Sequence, residues 1–201
     1  EAPKFELAEC LIEARHPPYC IALVSGCRFS QMTISMSKVI TFSRVFPKYH
    51  PKAGQSTYFV EQIYNSLFSK NNLMDYPKGL EIDDTIMGVK KHTIRNGNRW
   101  KVGDKFSPRV WSGKPYNSKQ IILSDDVEIK QIYQVRIWRE SLLNWIIYIN
   151  GEIISAPKIS ELATNDGLTH RDLLDWFNVP IEKNFEGQII CWSDAVSYGF
   201  R

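Results

Sequence analysis

The chain is short of several things that would have set its class at once. It has four cysteines, Cys10, Cys20, Cys27 and Cys191, and no two of them form a Cys-x-x-Cys pair. His16 falls between Cys10 and Cys20, but the gaps suit no common zinc site, so no metal and no cofactor is expected. A disulfide framework is not needed either, because 201 residues can bury a core without staples. This cysteine usage fits a reduced, cytoplasmic setting. No stretch approaches the ~20 apolar residues of a membrane span. Ile21–Val24 is too short, and it follows Glu6, Glu9 and Glu13, the wrong flank for a signal peptide, so no membrane partner is expected. Repeats and low-complexity tracts are also lacking, which excludes solenoids and arrays. Nothing in the sequence speaks to the oligomeric state.

What is present is an ordinary globular composition, with 43% apolar and 23% charged residues. The aromatic share of 12% suits a β-rich fold, because aromatic rings pack well on pleated surfaces. The net charge of +3 conceals an uneven distribution. Between Gly88 and Gln120 there are nine Lys and Arg against the single acid Asp104, so this segment carries +8 and the remainder −5. A solvated lysine-rich face accounts for such a segment, and so does a phosphate-binding surface.

Residues 1–36 differ from the rest. They hold three of the four cysteines and the Pro17-Pro18 pair, and they keep neither a 3.6 nor a 2 period. They are expected to form a poorly structured extension, or to be sequence translated upstream of a true start at Met36; the rival reading is a helix from Phe5 to Ala14. A folded domain is expected over 37–201. Its first strand is Val39–Phe42, followed by an extended loop over Phe46–Pro51, since residues before proline avoid the helical region. Ser56 or Thr57 is placed to cap a helix running to about Ser69, whose apolar face carries Phe59, Val60, Ile63, Tyr64, Leu67 and Phe68. A loop over Asn71–Gly79 precedes a helical turn at Asp83–Met87. Strands are expected at His92–Arg95, Lys105–Trp111 and Val127–Trp138. Trp145–Ile149 and Glu152–Ile154 flank Asn150-Gly151, a strong hairpin signal. A brief helical turn is expected at Ser160–Ala163. A helix opened by Thr169, with Asp172 three residues on, resembles a capping box. Gly187–Trp192 closes the chain as a strand. Five to seven strands and about three short helices make an α+β domain built as a small barrel.

Gly88-Val-Lys90-Lys91-His92-Thr93-Ile94-Arg95 resembles the signature of the ASCH family. That signature is a glycine, a lysine two residues on, a threonine three residues later, and an arginine after a hydrophobic residue. Lys101-Val102-Gly103-Asp104 looks like the family's turn into a barrel strand. Asn165-Asp166-Gly167 with Trp176-Phe177 looks like its second block, and Phe185-x-Gly187-x-Ile189-Ile190-x-Trp192 like its closing strand. The match runs with gaps from about Val39 to Trp192. The version with Phe46-Pro-Lys-x-His50-Pro is similar to a subgroup often encoded by phages and bacteria. The resemblance implies a PUA-like barrel with a cleft beside the Lys/Thr/Arg segment, and RNA or a modified nucleoside as partner. One branch of the family removes the acetyl group from acetylcytidine with a lysine, a threonine and an acidic residue. Lys90 and Thr93 match the first two, and Asp166 falls where that branch has a longer glutamate. Other branches are ribonucleases or binding modules of larger assemblies.

The chemistry is consistent with those residue types. A threonine hydroxyl is too weakly acidic to attack an amide unaided, but a lysine of depressed pKa can take its proton. Lys91, His92 and Arg95 would supply the field that depresses Lys90. Asp166 would orient the lysine or relay the proton, and Arg95 would hold an oxyanion or a phosphate. Lys90 and Thr93 are three apart and would face opposite sides of one straight strand, so they meet only if the strand begins after a turn near Gly88. For binding without catalysis, Lys91, His92, Arg95, Arg99 and Lys101 contact phosphates, while Trp100, Trp111 and Tyr116 are free to stack on bases. Each has a plainer alternative: solvent-exposed lysines, a β-forming threonine, an Asp-Gly turn, tryptophans filling the core. A protein-interaction module remains a third reading.

Overall fold

The computed structural model describes residues 38–68 and 76–199. The extension expected at 1–36 lies outside the described residues, as does part of the loop expected after Asn71. Among the described residues nine strands and three helices form an α+β fold with two sheets. No described helix is long and apolar enough to cross a membrane.

Strand β1 (Lys38–Phe42) alternates outward and inward, burying Ile40 and Phe42. It pairs in parallel with β3 (Lys105–Trp111), which also takes β4 (Gln120–Ile122) and β5 (Val127–Glu128) as antiparallel neighbours. The second sheet runs β2 (His92–Asn96), β9 (Lys183–Cys191), β6 (Gln131–Arg139), β7 (Trp145–Ile149), β8 (Glu152–Ile153), antiparallel throughout. In β9 the run Gly187–Cys191 is wholly buried, as its unbroken Ile-Ile-Cys sequence requires of a strand covered on both faces. The β7–β8 turn is the expected one: Asn150 and Gly151 both take positive φ, 51° and 88°, which suits a type I′ turn.

Helix α1 (Phe59–Leu67) buries Phe59, Val60, Ile63 and Tyr64, the apolar face read from the sequence. Helix α3 (His170–Phe177) starts at the expected cap, with Thr169 Oγ1 accepting from Asp172 N at 3.1 Å. Helix α2 (Ala156–Asn165) ends in a Schellman turn, in which Gly167 takes φ 77° and Leu168 N donates to Ala163 O.

Five expectations are corrected. The strands are hydrogen-bonded into two sheets, not one closed ring. The loop over Phe46–Pro51 is not extended: His50 N bonds Pro47 O and Ala53 N bonds His50 O, so it folds into consecutive turns. Neither Ser56 nor Thr57 is the cap of α1; that position is Tyr58, in the left-handed region at φ 55°, while the two hydroxyls bond the N–H groups of Tyr58 and Phe59. The long run from Val127 breaks at Ile129–Lys130, where Lys130 N is drawn to Cys191 O. The brief helical turn at Ser160–Ala163 is a ten-residue helix, begun by Ala156-Pro157 with proline in its first turn, where a missing N–H costs nothing.

Candidate functional site

The segment Gly88–Lys91 carries no regular structure and is held from three directions. Lys90 N donates to Gln62 O of α1, Lys91 N donates to Asn165 O of α2, and Lys91 O accepts from Trp192 N beyond β9. Lys90 therefore sits before β2 rather than on it, and the alternation rule that would separate it from Thr93 does not apply. Within β2, Thr93 and Arg95 share one face by their two-residue spacing.

Lys90 is 1% exposed, yet its ammonium is well partnered. Nζ donates to Asp166 Oδ1 at 2.8 Å and to the Asp166 carbonyl, and the face of Phe59 lies 4.1 Å away. Asp166 reaches it because the Schellman turn fixes the end of α2. The Asp-Gly turn and the site are thus one structure, not alternatives. Burial, the strongest influence, pulls the Lys90 pKa below the usual lysine range against the opposing pull of Asp166. Burial pushes the Asp166 carboxyl up, but the Lys90 charge and the neighbouring His92 outweigh it and leave the carboxyl below its ordinary value.

Lys90, Thr93, Arg95 and Asp166 line one pocket of about 200 Å³. Its apolar walls include Phe42, Phe59, Trp111, Trp176 and Phe177. The Thr93 hydroxyl bonds none of the described residues. Arg95 donates from Nη2 to Thr41 O at 2.8 Å and lies over the Phe42 ring, while its buried Nε has no partner. Burial lowers the Arg95 pKa, and Asp166 offsets part of that.

His92 stands behind the pocket, fully buried. Asn165 Nδ2 donates to Tyr198 Oη at 3.1 Å, and the Tyr198 hydroxyl shares a hydrogen bond with His92 Nε2 at 2.8 Å. His92 Nδ1 is 3.4 Å from Asp166 Oδ1, close but short of hydrogen-bond geometry. Burial is the main reason that His92 is held below its usual pKa and Tyr198 above its own.

Of the other residues read as phosphate or base contacts, Trp111 walls the pocket and the rest do not line it. His92 reaches Asp166 from behind and has no surface to offer a ligand. Trp100 is 2% exposed: its backbone is clamped by both ends of the Gln188 amide, at 3.0 and 3.1 Å, and its ring packs edge-on to Phe106. Arg99 and Lys101 are exposed on the loop beside Trp100, and Lys91 is half-buried; none of the three lines the pocket. Arg99 and Lys101 belong to the β2–β3 loop, where Asp104 bonds Lys101 N and Lys38 Nζ, whereas Lys91 precedes β2 and is held by its backbone bonds to Asn165 and Trp192. Among the described residues no cluster of His, Cys, Asp or Glu could hold a metal ion.

No family model, curated protein or solved structure matches this chain. The site therefore rests on its own chemistry. Two parts of it escaped the sequence. Tyr198 carries no local signal, since only the fold brings the chain end beside His92. Phe59 and Trp176 are visible in sequence as helix faces turned inward, but nothing there distinguishes a core ring from a pocket wall.

Proposed function

We propose that residues 37–201 are an ASCH-type, PUA-like domain, and that the Lys90 pocket receives the base of a nucleoside or of an unpaired RNA residue. One observation carries this reading: Lys90, Thr93, Arg95 and Asp166, drawn from positions up to 76 residues apart, converge on a single aromatic-walled pocket. Aromatic walls suit a planar base, and a few convergent polar groups suit its carbonyl and amino edges. At about 200 Å³ the pocket is below the ~300–1,000 Å³ of drug-sized sites, so it suits one base rather than a stretch of strand. Arg95, with donors to spare, is the group placed for a carbonyl or an oxyanion. Such a ligand fits the cytoplasmic setting expected from the cysteines.

A second reading, hydrolysis of an acyl amide on that base, is favoured by the Thr93 hydroxyl, which bonds none of the described residues and shares the pocket with a lysine of lowered pKa. Deprotonated Lys90 would take the Thr93 proton as Oγ1 adds to the amide carbonyl. It would then return that proton to the departing amine, and water would cleave the threonyl ester. Asp166 would keep Lys90 aimed, and Arg95 would face the oxyanion.

The test is a titration of acetylcytidine, cytidine and a short single-stranded RNA into the wild type and Thr93→Val. Binding of at least one ligand is expected, with RNA affinity falling as salt rises. Release of acetate by the wild type and not by Thr93→Val would add the second reading. No binding of any of the three would leave only a protein-interaction module.

A further inference from the structure

A second cavity of about 460 Å³ adjoins the Lys90 pocket, and the two share Phe42, Ser43, Phe59, Trp111 and Pro115 as walls. The two cavities therefore lie side by side. The second cavity differs in its polar groups. It is lined by two carboxylates, Glu61 and Glu81, and a single cation, Arg44. Arg44 directs Nη1 to Ser112 O at 3.4 Å.

Glu61 is the anomaly. It is 9% exposed, in the first turn of α1, and it forms no ion pair with any described residue. Its one bond to a described residue is a long contact from Asp83 N to Oε1, 3.4 Å. The helix N-terminus eases its charge, but the described residues fill only one of its acceptor sites. A buried carboxylate is costly unless donors reach it, so this one is suited to donors that arrive with a ligand.

We infer that this cavity is the sugar subsite of the nucleoside pocket: Glu61 accepts hydrogen bonds from ribose hydroxyls while the base lies beside Lys90. The inference rests on the nucleoside reading above and narrows it. A carboxylate on ribose hydroxyls is an established pairing, as in dinucleotide sites. Trp111 spans both cavities, and Tyr58 lines the sugar side. Two carboxylates against one cation repel a phosphate, so the ligand class is a free ribonucleoside rather than a nucleotide or a strand of RNA.

Calorimetric titration of the full chain tests this. The probes are cytidine, acetylcytidine, uridine, adenosine and guanosine, each with its 2′-deoxy and 5′-monophosphate counterpart where one exists. At least one ribonucleoside is expected to bind. Its 2′-deoxy form is expected to bind about tenfold or more weakly, the scale of one hydrogen bond to a charged group, and its monophosphate is also expected to bind more weakly. Glu61→Gln is expected to bring the ribo and deoxyribo forms within about threefold of each other. Equal affinity for ribo and deoxyribo forms, or tighter binding of the monophosphate, would overturn the sugar subsite and leave the base pocket standing. Failure of every nucleoside to bind would overturn both. If Glu61→Gln does not fold, the comparison of ligands on the unaltered chain decides.

Discussion

Removing one member of the Lys90–Asp166 pair should damage the protein far more than removing both. The two side chains are 1% and 7% exposed and meet at 2.8 Å, so neither charge can turn to water when its partner goes. Breaking a buried pair from one side costs about 3–5 kcal/mol, whereas an exposed pair is worth about 0–1 kcal/mol. Lys90→Met leaves Asp166 with His92 and the more distant Arg95. Asp166→Asn leaves Lys90 and Arg95 in one pocket without a counter-charge, and it should be the worse of the two. The double variant removes both charges and should return to within about 2 kcal/mol of the wild type. The assay is equilibrium urea unfolding at neutral pH. With a slope of about 2 kcal/mol per molar urea, each single variant should lower the midpoint by about 1.5–2.5 M, and the double by less than either. Single variants that lose under about 1 kcal/mol, or a double equal to the sum of the singles, would show that the pair is solvated and the pocket not dry.

Three further outcomes are expected. The Asp166 carboxyl titrates lower in the fold than its ordinary value of 3.8, so its contribution is whole above that pH and disappears as pH falls through the folded value; acid unfolding below pH 3.8 should be less steep in Asp166→Asn, and an unchanged slope would contradict the pairing. Gly187→Ala would put a methyl 2.1 Å from the Arg95 carbonyl oxygen across the β2–β9 ladder, so the variant should lose about 2 kcal/mol or more by thermal unfolding, and an unchanged melting temperature would mean that the strands are not so close. Tyr198→Phe strips His92 Nε2 and Asn165 Nδ2 of their shared partner and should cost about 1–3 kcal/mol; a neutral result would mean that water replaces the hydroxyl.

The elements legible in the sequence were those whose signals are local. Lys105–Trp111 alternates and is a strand over that span. Asn150-Gly151 turns because asparagine and glycine tolerate positive φ. Thr169 caps α3 because its hydroxyl is within reach of an N–H three residues on. The failures were non-local. The break at Ile129–Lys130 answers a carbonyl 61 residues away, and the burial of Trp100 answers the Gln188 amide from β9. The cationic segment from Gly88 to Gln120 was countable, but its strands and loops send the charges in different directions, and only Lys90 and Arg95 line the Thr93 pocket.

The sequence alone specified which residues had the right chemistry: a lysine, a threonine, an arginine and an acid, each marked by spacing and by neighbours that turn the chain. It also specified the helix and strand periods that carry them, because those depend on side chains a few positions apart. Only the tertiary structure decided that Lys90 and Thr93 line one pocket, that the end of α2 delivers Asp166 to it, and that His92 and Trp100 face inward. Those outcomes depend on backbone groups far apart in the chain finding each other, as Lys90 N finds Gln62 O and Lys91 N finds Asn165 O, and no local pattern encodes them.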